Sequence, residues 1–283
     1  MSADNSSKLR SQTLDRLSRL PAFNLTALKL LSISADGNSA LEDFEAAFRG
    51  DPALATDLLI VANSVEFGFR CEITNIPHAL LLLGLERARS VASRIAMRSY
   101  LSGHTNGDFS TGWKHSLASA ALAEHLAKTS SLSLPMLYTA ALLHDIGRLG
   151  MLLTLHEKYS SLMACEVANM GEILAVEETM FGMNHCEAGG ALSRAWGFPE
   201  SLRHYIHMHH GVVSMERDPT IHTVQTACRL AEALGYPECA WAPASQARME
   251  EAIPSRFRNH PEFTPERLKA IAESSFAATN RTC

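Results

Sequence analysis

The sequence predicts an all-α fold. Apolar residues recur at helical spacing from Leu14 through nearly the whole chain, and no segment shows the alternation that is typical of a β-strand. Helix-start signals agree with this, since Asp51 is a favourable N-cap and Pro52 a favourable first helical residue. With 283 residues, of which 46% are hydrophobic, the chain can form one large or two small domains.

The first half of the chain predicts a helical N-terminal subdomain over residues 14–101, preceded by a disordered start over 1–13. Its predicted helices cover 25–33, 41–49, 52–62 and 77–101, and the last of these is either long or kinked, with Gly84 as the break. The polar segment SGHTNGDFSTG, residues 102–112, contains three glycines and is interpreted as a linker at the domain boundary.

The second half predicts a helical core over residues 113–234. Helices are expected at about 113–129, 135–146, 149–156, 158–170, 172–180, 185–196, 199–210 and 220–234. Asn184 with Glu187 three positions later forms a capping-box pattern before one of them. Residues 235–283 are expected to be irregular at first, because four prolines interrupt them, and to end in a helix that begins near Pro265.

Composition excludes several classes of function. Charged residues make up 19% of the chain, the net charge is −5, and no basic stripe favours binding to a nucleic acid duplex. No apolar run reaches the roughly 18 residues of a membrane span. The start, MSADNSSKLRSQ, lacks an apolar signal core, so we expect a cytoplasmic chain. The six cysteines form no CxxC pair and are expected to be reduced thiols, mostly small core residues.

The segment LYTAALLHDIGRL, residues 137–149, points to chemistry. Leu137, Ala140 and Ala141 precede His144 at helical spacing, so the imidazole lies on a face that is expected to be buried. Asp145 follows directly. Burying polar groups without partners costs a few kcal/mol. We therefore expect this pair to have partners, and a metal ion is one that both side chains could share.

Other histidines also fall on inward helix faces, and together with this pair they form a candidate ligand set. The set consists of His115, His144, Asp145, His185, His209 and His210. Histidine and carboxylate ligands spread over four helices suit a di-metal site. Such a site can generate a hydroxide and stabilise phosphoryl displacement, with Arg148 as a phosphate contact. Each histidine alone also fits a hydrogen-bonded core residue, so that interpretation stays open.

Several segments carry a family resemblance. LPAFNLTALKLL, DPALATDLLIVANSVEFG and ITNIPHALLLLGLERARS resemble the opening of an HDOD domain, the HD-related output domain of bacterial signalling. HDIGR and NHCEAGGALSRAWGFPESLRHYIHMHH continue the resemblance, which spans residues 14–234. It implies an N-terminal helical bundle packed on an HD-type helical core. HDOD is similar to the HD-GYP cyclic-dinucleotide phosphodiesterases, and the six candidate ligands match the metal positions of that relative.

The chain departs from the HD-GYP pattern at three places. Arg148 replaces the lysine of the HDxxK motif, and an arginine cannot give up its proton as a lysine can. No GYP segment follows His210. The late aspartate ligand that the resemblance places in the helix near 224–234 is missing, and Glu232 is the only acid there.

The resemblance implies a bacterial signal-transduction protein that is non-catalytic or weakly catalytic. It would bind a signalling protein or a nucleotide second messenger and retain one or two divalent ions of iron, manganese or zinc. The alternative is a metal-dependent phosphohydrolase acting on a cyclic dinucleotide or a nucleotide. In that mechanism Asp145 bridges two metals, a metal-activated hydroxide attacks phosphorus, and Arg148 holds the phosphate. In a third interpretation the histidines only stabilise the core.

Overall fold

The all-α prediction is confirmed, since the described residues form helices and no strand. The structure is a computed structural model. It describes residues 3–33, 40–64, 67–69, 72–102, 107–132, 134, 136–163, 170–238 and 246–280. None of the helices searched among these residues is long and apolar enough to cross a membrane.

The chain divides into two compact units. One unit, called here the bundle unit, contains residues 22–103 and 273–283. The other, called here the core unit, contains residues 1–21 and 104–272. The boundary after residue 103 falls at the start of the segment that the sequence suggested as a linker. The grouping of residues 1–21 with the core unit, and of 273–283 with the bundle unit, differs from the sequence-based division.

Five helices lie within residues 22–103 of the bundle unit. In chain order they are α2 (Leu25–Ser32), α3 (Ala40–Arg49), α4 (Pro52–Ala62), α5 (Ile76–Leu83) and α6 (Leu85–Ser102). The Asp51 carboxylate accepts a hydrogen bond from the Leu54 backbone N–H at 3.0 Å, which confirms the predicted cap. Gly84, at a φ of +76°, separates α5 from α6 and confirms the predicted break.

The core of the bundle unit is mostly apolar, but it includes two buried arginines, Arg89 and Arg94. Arg89 is 3% exposed, and its guanidinium lies over the ring of Phe44. It donates hydrogen bonds to the backbone oxygens of Leu30, at 3.1 Å, and Ile33, and it pairs with Glu86. Arg89 therefore satisfies carbonyl groups that the end of α2 leaves without helical partners.

The core unit contains most of the remaining helices. They are α1 (Ala3–Ser18), α7 (Gly107–Thr129), α8 (Leu137–Leu143), α9 (Ile146–Thr154), α10 (His156–Met163), α11 (Met170–Phe181), α12 (His185–Ala195), α13 (Glu200–Met208), α14 (Pro219–Ala233) and α15 (Gln246–Ala252). The capping box at Asn184 and Glu187 is present at the start of α12, as predicted. The last helix, α16 (Pro265–Asn280), begins where the sequence predicted.

The N-terminal segment differs from the sequence expectation, because α1 begins at Ala3 rather than after a disordered stretch. Thr13 Oγ1 donates to the Phe181 backbone oxygen at 2.8 Å, and Arg10 Nη1 pairs with Glu187 at 2.9 Å. These partners lie more than 160 positions away in the sequence. A polar segment with such tertiary partners can be helical even though its own composition does not predict it.

Two other segments also differ from expectation. Helix α7 begins at Gly107, so residues 107–112 are helical rather than part of a linker, and residues 103–106 lie outside the described part. Residues 246–252 form α15, and two short 3₁₀ helices follow at Ser255–Phe257 and Pro261–Phe263. The described residues 246–263 of the proline-rich stretch therefore contain more helix than the sequence indicated.

Candidate metal centre

The six predicted ligands converge on one buried spot in the core unit. His115 lies on α7, His144 and Asp145 connect α8 to α9, His185 begins α12, and His209 and His210 follow α13. Neighbouring rings form a chain of contacts, with centroid separations from 4.2 to 5.3 Å. All of these residues are at most 2% exposed except His210, whose side chain is 15% exposed.

Close packing of α9 on α12 brings two of the ligands together. A Cβ atom on Gly147 would lie 2.0 Å from the His185 backbone oxygen and 2.3 Å from the Gly189 backbone nitrogen. Only glycine allows this approach, because the obstructing atoms belong to the backbone. The contact places Asp145 Oδ1 3.6 Å from His185 Nε2.

Hydrogen bonds fix the orientation of the four fully buried rings. In each of them Nδ1 lies 2.6 to 2.8 Å from an acceptor, which assigns the ring proton of a neutral imidazole to Nδ1. The acceptor is a backbone oxygen for His115, His144 and His209, and the Glu177 carboxylate for His185. The Nε2 atoms therefore point into the cluster as electron-pair donors, as they do when histidines bind metals.

Arg148 lies inside the cluster and is 0% exposed. Its Nε donates to Asp145 Oδ2 at 2.7 Å, and its Nη2 donates to Glu238 Oε2 at 2.9 Å and to His185 Nε2 at 3.1 Å. Its Nη1 lies 3.7 Å from Glu177 Oε1. The sequence suggested a phosphate contact for Arg148, but in this structure the guanidinium donates its hydrogen bonds to buried protein groups.

Sequence reasoning missed three residues of the site, namely Glu177, Cys228 and Glu238. Cys228, on α14, places its Sγ 3.5 Å from His144 Nε2. Glu238 places its Oε1 3.4 Å from His115 Nε2. Glu177, on α11, accepts hydrogen bonds from the backbone and ring of His185. Cys228 thus lies on the helix where the late aspartate was expected.

Not all of these three residues could have been found from the sequence. A search for any metal-ligating side chain on the inner face of α14, rather than for an acid, would have found Cys228. Glu238 follows Pro237 in a segment without periodicity, so no pattern predicted its direction. Of the six cysteines, Cys186 and Cys228 are free and buried, as expected of core thiols. Cys71, Cys165, Cys239 and Cys283 lie outside the described residues.

Electrostatics divide the metal-free cluster into charged and neutral parts. Burial raises the pKa of the Cys228 thiol, but the nearby His144 and His115 bring it down to about 6. Burial lowers the pKa of His144, but Cys228 and Asp145 raise it to about 9. The pKa of His209 is well below its usual value because of burial and the neighbouring His210. Without a metal, a protonated imidazole therefore faces a thiolate.

The donor groups fit a divalent cation. Three buried atoms of the cluster have no hydrogen-bond partner among the described residues, namely Asp145 Oδ1, His210 Nε2 and Glu238 Oε1. Three buried carboxylates, those of Asp145, Glu177 and Glu238, face the single positive charge of the Arg148 guanidinium. Buried groups in this state are costly, and a cation would satisfy both the charge and the orphaned atoms.

A cavity of about 290 Å³ reaches the cluster. Its lining includes His209, His210, Gln225, Cys228, Arg229, Glu232 and Glu238. Burial and the nearby Glu238 raise the pKa of Glu232 to about 7. The cavity gives small solutes a route to the histidines and to Cys228, while Arg148 and Glu177 are not part of its wall.

Comparison with known families matches residues 20–212 to the HDOD domain. A protein of Treponema pallidum (strain Nichols), named only "Uncharacterized protein", is 25% identical over 224 residues. This match includes 78% of the chain but only 44% of the relative, so the chain spans less than half of that protein's length.

Solved structures share the fold along nearly the whole chain. An HDOD domain protein of unknown function from Geobacter sulfurreducens has a TM-score of 0.69 at 21% identity, covering 99% of this chain and 98% of its own. A protein named "Putative metal-dependent phosphohydrolase" from Shewanella amazonensis SB2B has a TM-score of 0.61 at 19% identity, covering 98% and 100%. At such identities the likeness establishes the fold alone.

Proposed function

The chain belongs to the HDOD domain family, and on that premise we propose that it is a regulatory module that retains one metal ion and does not hydrolyse phosphodiesters. As an output module it would act by binding a signalling protein or a nucleotide second messenger. The observation that carries this proposal is the position of the Arg148 guanidinium within the candidate ligand set.

Arg148 takes the place of a second ion. A cation bound by Asp145, His185 and Glu238 would compete with Arg148, which donates to His185 Nε2 and to one oxygen of each carboxylate. The guanidinium supplies one positive charge at this point and cannot lose it by deprotonation. It also offers no position where water or a substrate oxygen could bind as it would to a metal.

The remaining donors leave room for one ion near His115 and His144. These rings present Nε2, and Cys228, Glu238 and the free oxygen of Asp145 lie nearby. An ion there would supply charge to stabilise the fold and a means to couple metal availability to structure. Glu177 would keep His185 oriented, and Arg148 would keep Asp145 and Glu238 ionised, whether or not the ion is present.

A hydrolase remains the second candidate, because the cavity beside His210 opens to the cluster. In that case Arg229 and Gln225 at its wall would contact the substrate. Metal ions would supply the activation of water and charge stabilisation. Arg148 would hold Asp145 in place, since its burial prevents direct contact with a phosphate in this arrangement.

The test combines metal analysis with an activity screen on untagged protein. We would load the protein separately with zinc, manganese and iron(II), and assay bis(p-nitrophenyl) phosphate and cyclic dinucleotides. We expect one ion per chain and no hydrolysis above that of the Asp145→Ala variant. Hydrolysis that is lost in Asp145→Ala would contradict the proposal and favour the hydrolase. Equilibrium dialysis with the same cyclic dinucleotides would then distinguish a nucleotide ligand from a protein partner.

A further inference from the structure

Cys228 is placed as a ligand rather than as a packing residue. It lies on the inner face of α14 and is 6% exposed. Its sulfur is 3.5 Å from His144 Nε2 and within hydrogen-bonding reach of His115. Both of these rings direct Nε2 toward it because their Nδ1 atoms are bound to backbone oxygens. A thiol that only filled space would not require two oriented imidazoles.

Glu238 provides an independent observation that a ligand belongs here. Its Oε2 accepts a hydrogen bond from Arg148, but its Oε1 accepts none among the described residues, although the side chain is 1% exposed. Oε1 faces His115 Nε2 at 3.4 Å. Without a metal, this oxygen has a partner only if His115 carries a proton on Nε2, and a cation between the two atoms could take the place of that proton.

The separations of these atoms match the edges of a tetrahedral metal site. With metal–ligand bonds of about 2.0–2.3 Å, a nitrogen and an oxygen ligand lie about 3.4 Å apart, and a nitrogen and a sulfur ligand about 3.5 Å apart. The observed distances are 3.4 Å for His115 to Glu238 and 3.5 Å for His144 to Cys228. One ligand atom from each residue lies within 4.8 Å of every other.

We infer that His115, His144, Cys228 and Glu238 form a four-ligand zinc site with the Cys228 thiolate as its sulfur ligand. A thiolate and two imidazoles favour zinc over magnesium or manganese, which prefer oxygen ligands. Four protein ligands close the coordination sphere, as in structural zinc sites. This inference rests on the proposed one-ion module and names its metal and its ligands.

Three other groups of candidate ligands lie in the same cluster. Two of them contain no sulfur, namely His144 with Asp145 and His209, and Asp145 with His185 and Glu238. The third contains Cys186 with His185, His209 and His210. His144 cannot serve both the proposed site and the first of these groups at once through its single free Nε2. Sulfur at the metal therefore separates the proposed site from the two groups without cysteine, and substitution of each cysteine in turn separates it from the group that contains Cys186.

The experiment is cobalt(II) substitution of the full-length protein, followed by absorption spectroscopy. We expect intense visible bands of tetrahedral cobalt and a near-ultraviolet thiolate-to-cobalt charge-transfer band. The Cys228→Ser variant should lose the charge-transfer band. It should also bind zinc more weakly by a larger factor than the about 10–100-fold that loss of an outer-shell partner costs. Cys186→Ser is the matched control, because Cys186 is also buried and lies 3.9 Å from His209 Nε2.

Zinc K-edge X-ray absorption of the unmutated protein and of Cys186→Ser covers the case in which Cys228→Ser does not fold. We expect one sulfur and three nitrogen or oxygen neighbours. No sulfur neighbour, a charge-transfer band that persists in Cys228→Ser, or no zinc binding would each overturn the inference. Zinc bound without sulfur would leave the proposed one-ion module standing. Phosphodiester hydrolysis alongside a sulfur ligand would overturn the proposed function instead.

Discussion

Arg89 in the bundle unit and Arg148 in the core unit are both buried, and they serve different purposes. Arg89 donates to backbone oxygens at the C-terminal end of α2 and pairs with Glu86, whose side chain is 44% exposed. Arg148 in the core unit faces three fully buried carboxylates. The first completes the hydrogen bonding of a helix. Arg148 neutralises charge at the position where we propose that it replaces a second metal ion. The effect of substituting Arg148 on stability should therefore depend on metal, while the effect of substituting Arg89 should not.

The largest expected effect comes from Arg148→Met. It leaves the carboxylates of Asp145, Glu177 and Glu238 without their cation, and breaking a buried pair in this way costs about 3–5 kcal/mol. Urea unfolding in the presence of a chelator measures this loss. Added zinc or manganese should restore part of the free energy of unfolding, because a second ion can enter the vacated position.

Arg148→Lys is the control for that variant. It keeps the charge but loses the forked geometry that reaches two acceptors at once. We expect a smaller loss of stability than in Arg148→Met and no second ion. A second ion in Arg148→Lys would show that charge is not what excludes it.

Arg89→Met should have an intermediate effect that metal does not change. It leaves the carbonyl groups of Leu30 and Ile33 without their side-chain donor, which costs about 1–3 kcal/mol for a buried unsatisfied group. Urea unfolding with chelator and with zinc should give the same difference from the unmutated protein. A difference that depends on zinc would break the contrast between the two arginines.

Asp51→Ala should have the smallest effect among these variants. Loss of the N-cap of α4 should lower the free energy of unfolding by about 1 kcal/mol. The pKa of Asp51 is lowered, chiefly by the hydrogen bond from the Leu54 backbone. Its stabilising effect should therefore be complete above the ordinary pKa of an aspartate and disappear as the pH falls through the lowered value. Unfolding at pH 7 and at successively lower pH checks this, and a difference that grows on acidification would contradict it.

The sequence predicted most of the helices and the six candidate ligands that converge, because both follow from local periodicity. His144 and His115 lie on apolar helix faces, and such faces must turn inward. It could not predict the role of Arg148, because Glu238 lies 90 positions away. Cys228 escaped notice because a thiol on an apolar face looks like a small core residue. The docking of α1 through Arg10 and Thr13 likewise depends on tertiary partners.

The most direct test of the central claim is the number of metal ions bound by untagged protein, measured by elemental mass spectrometry beside Arg148→Met. The claim is that the Arg148 guanidinium stands in for a second ion. It predicts one zinc in the unmutated protein and two ions in Arg148→Met. Two ions in the unmutated protein would show that Arg148 moves aside for metal and would contradict the claim.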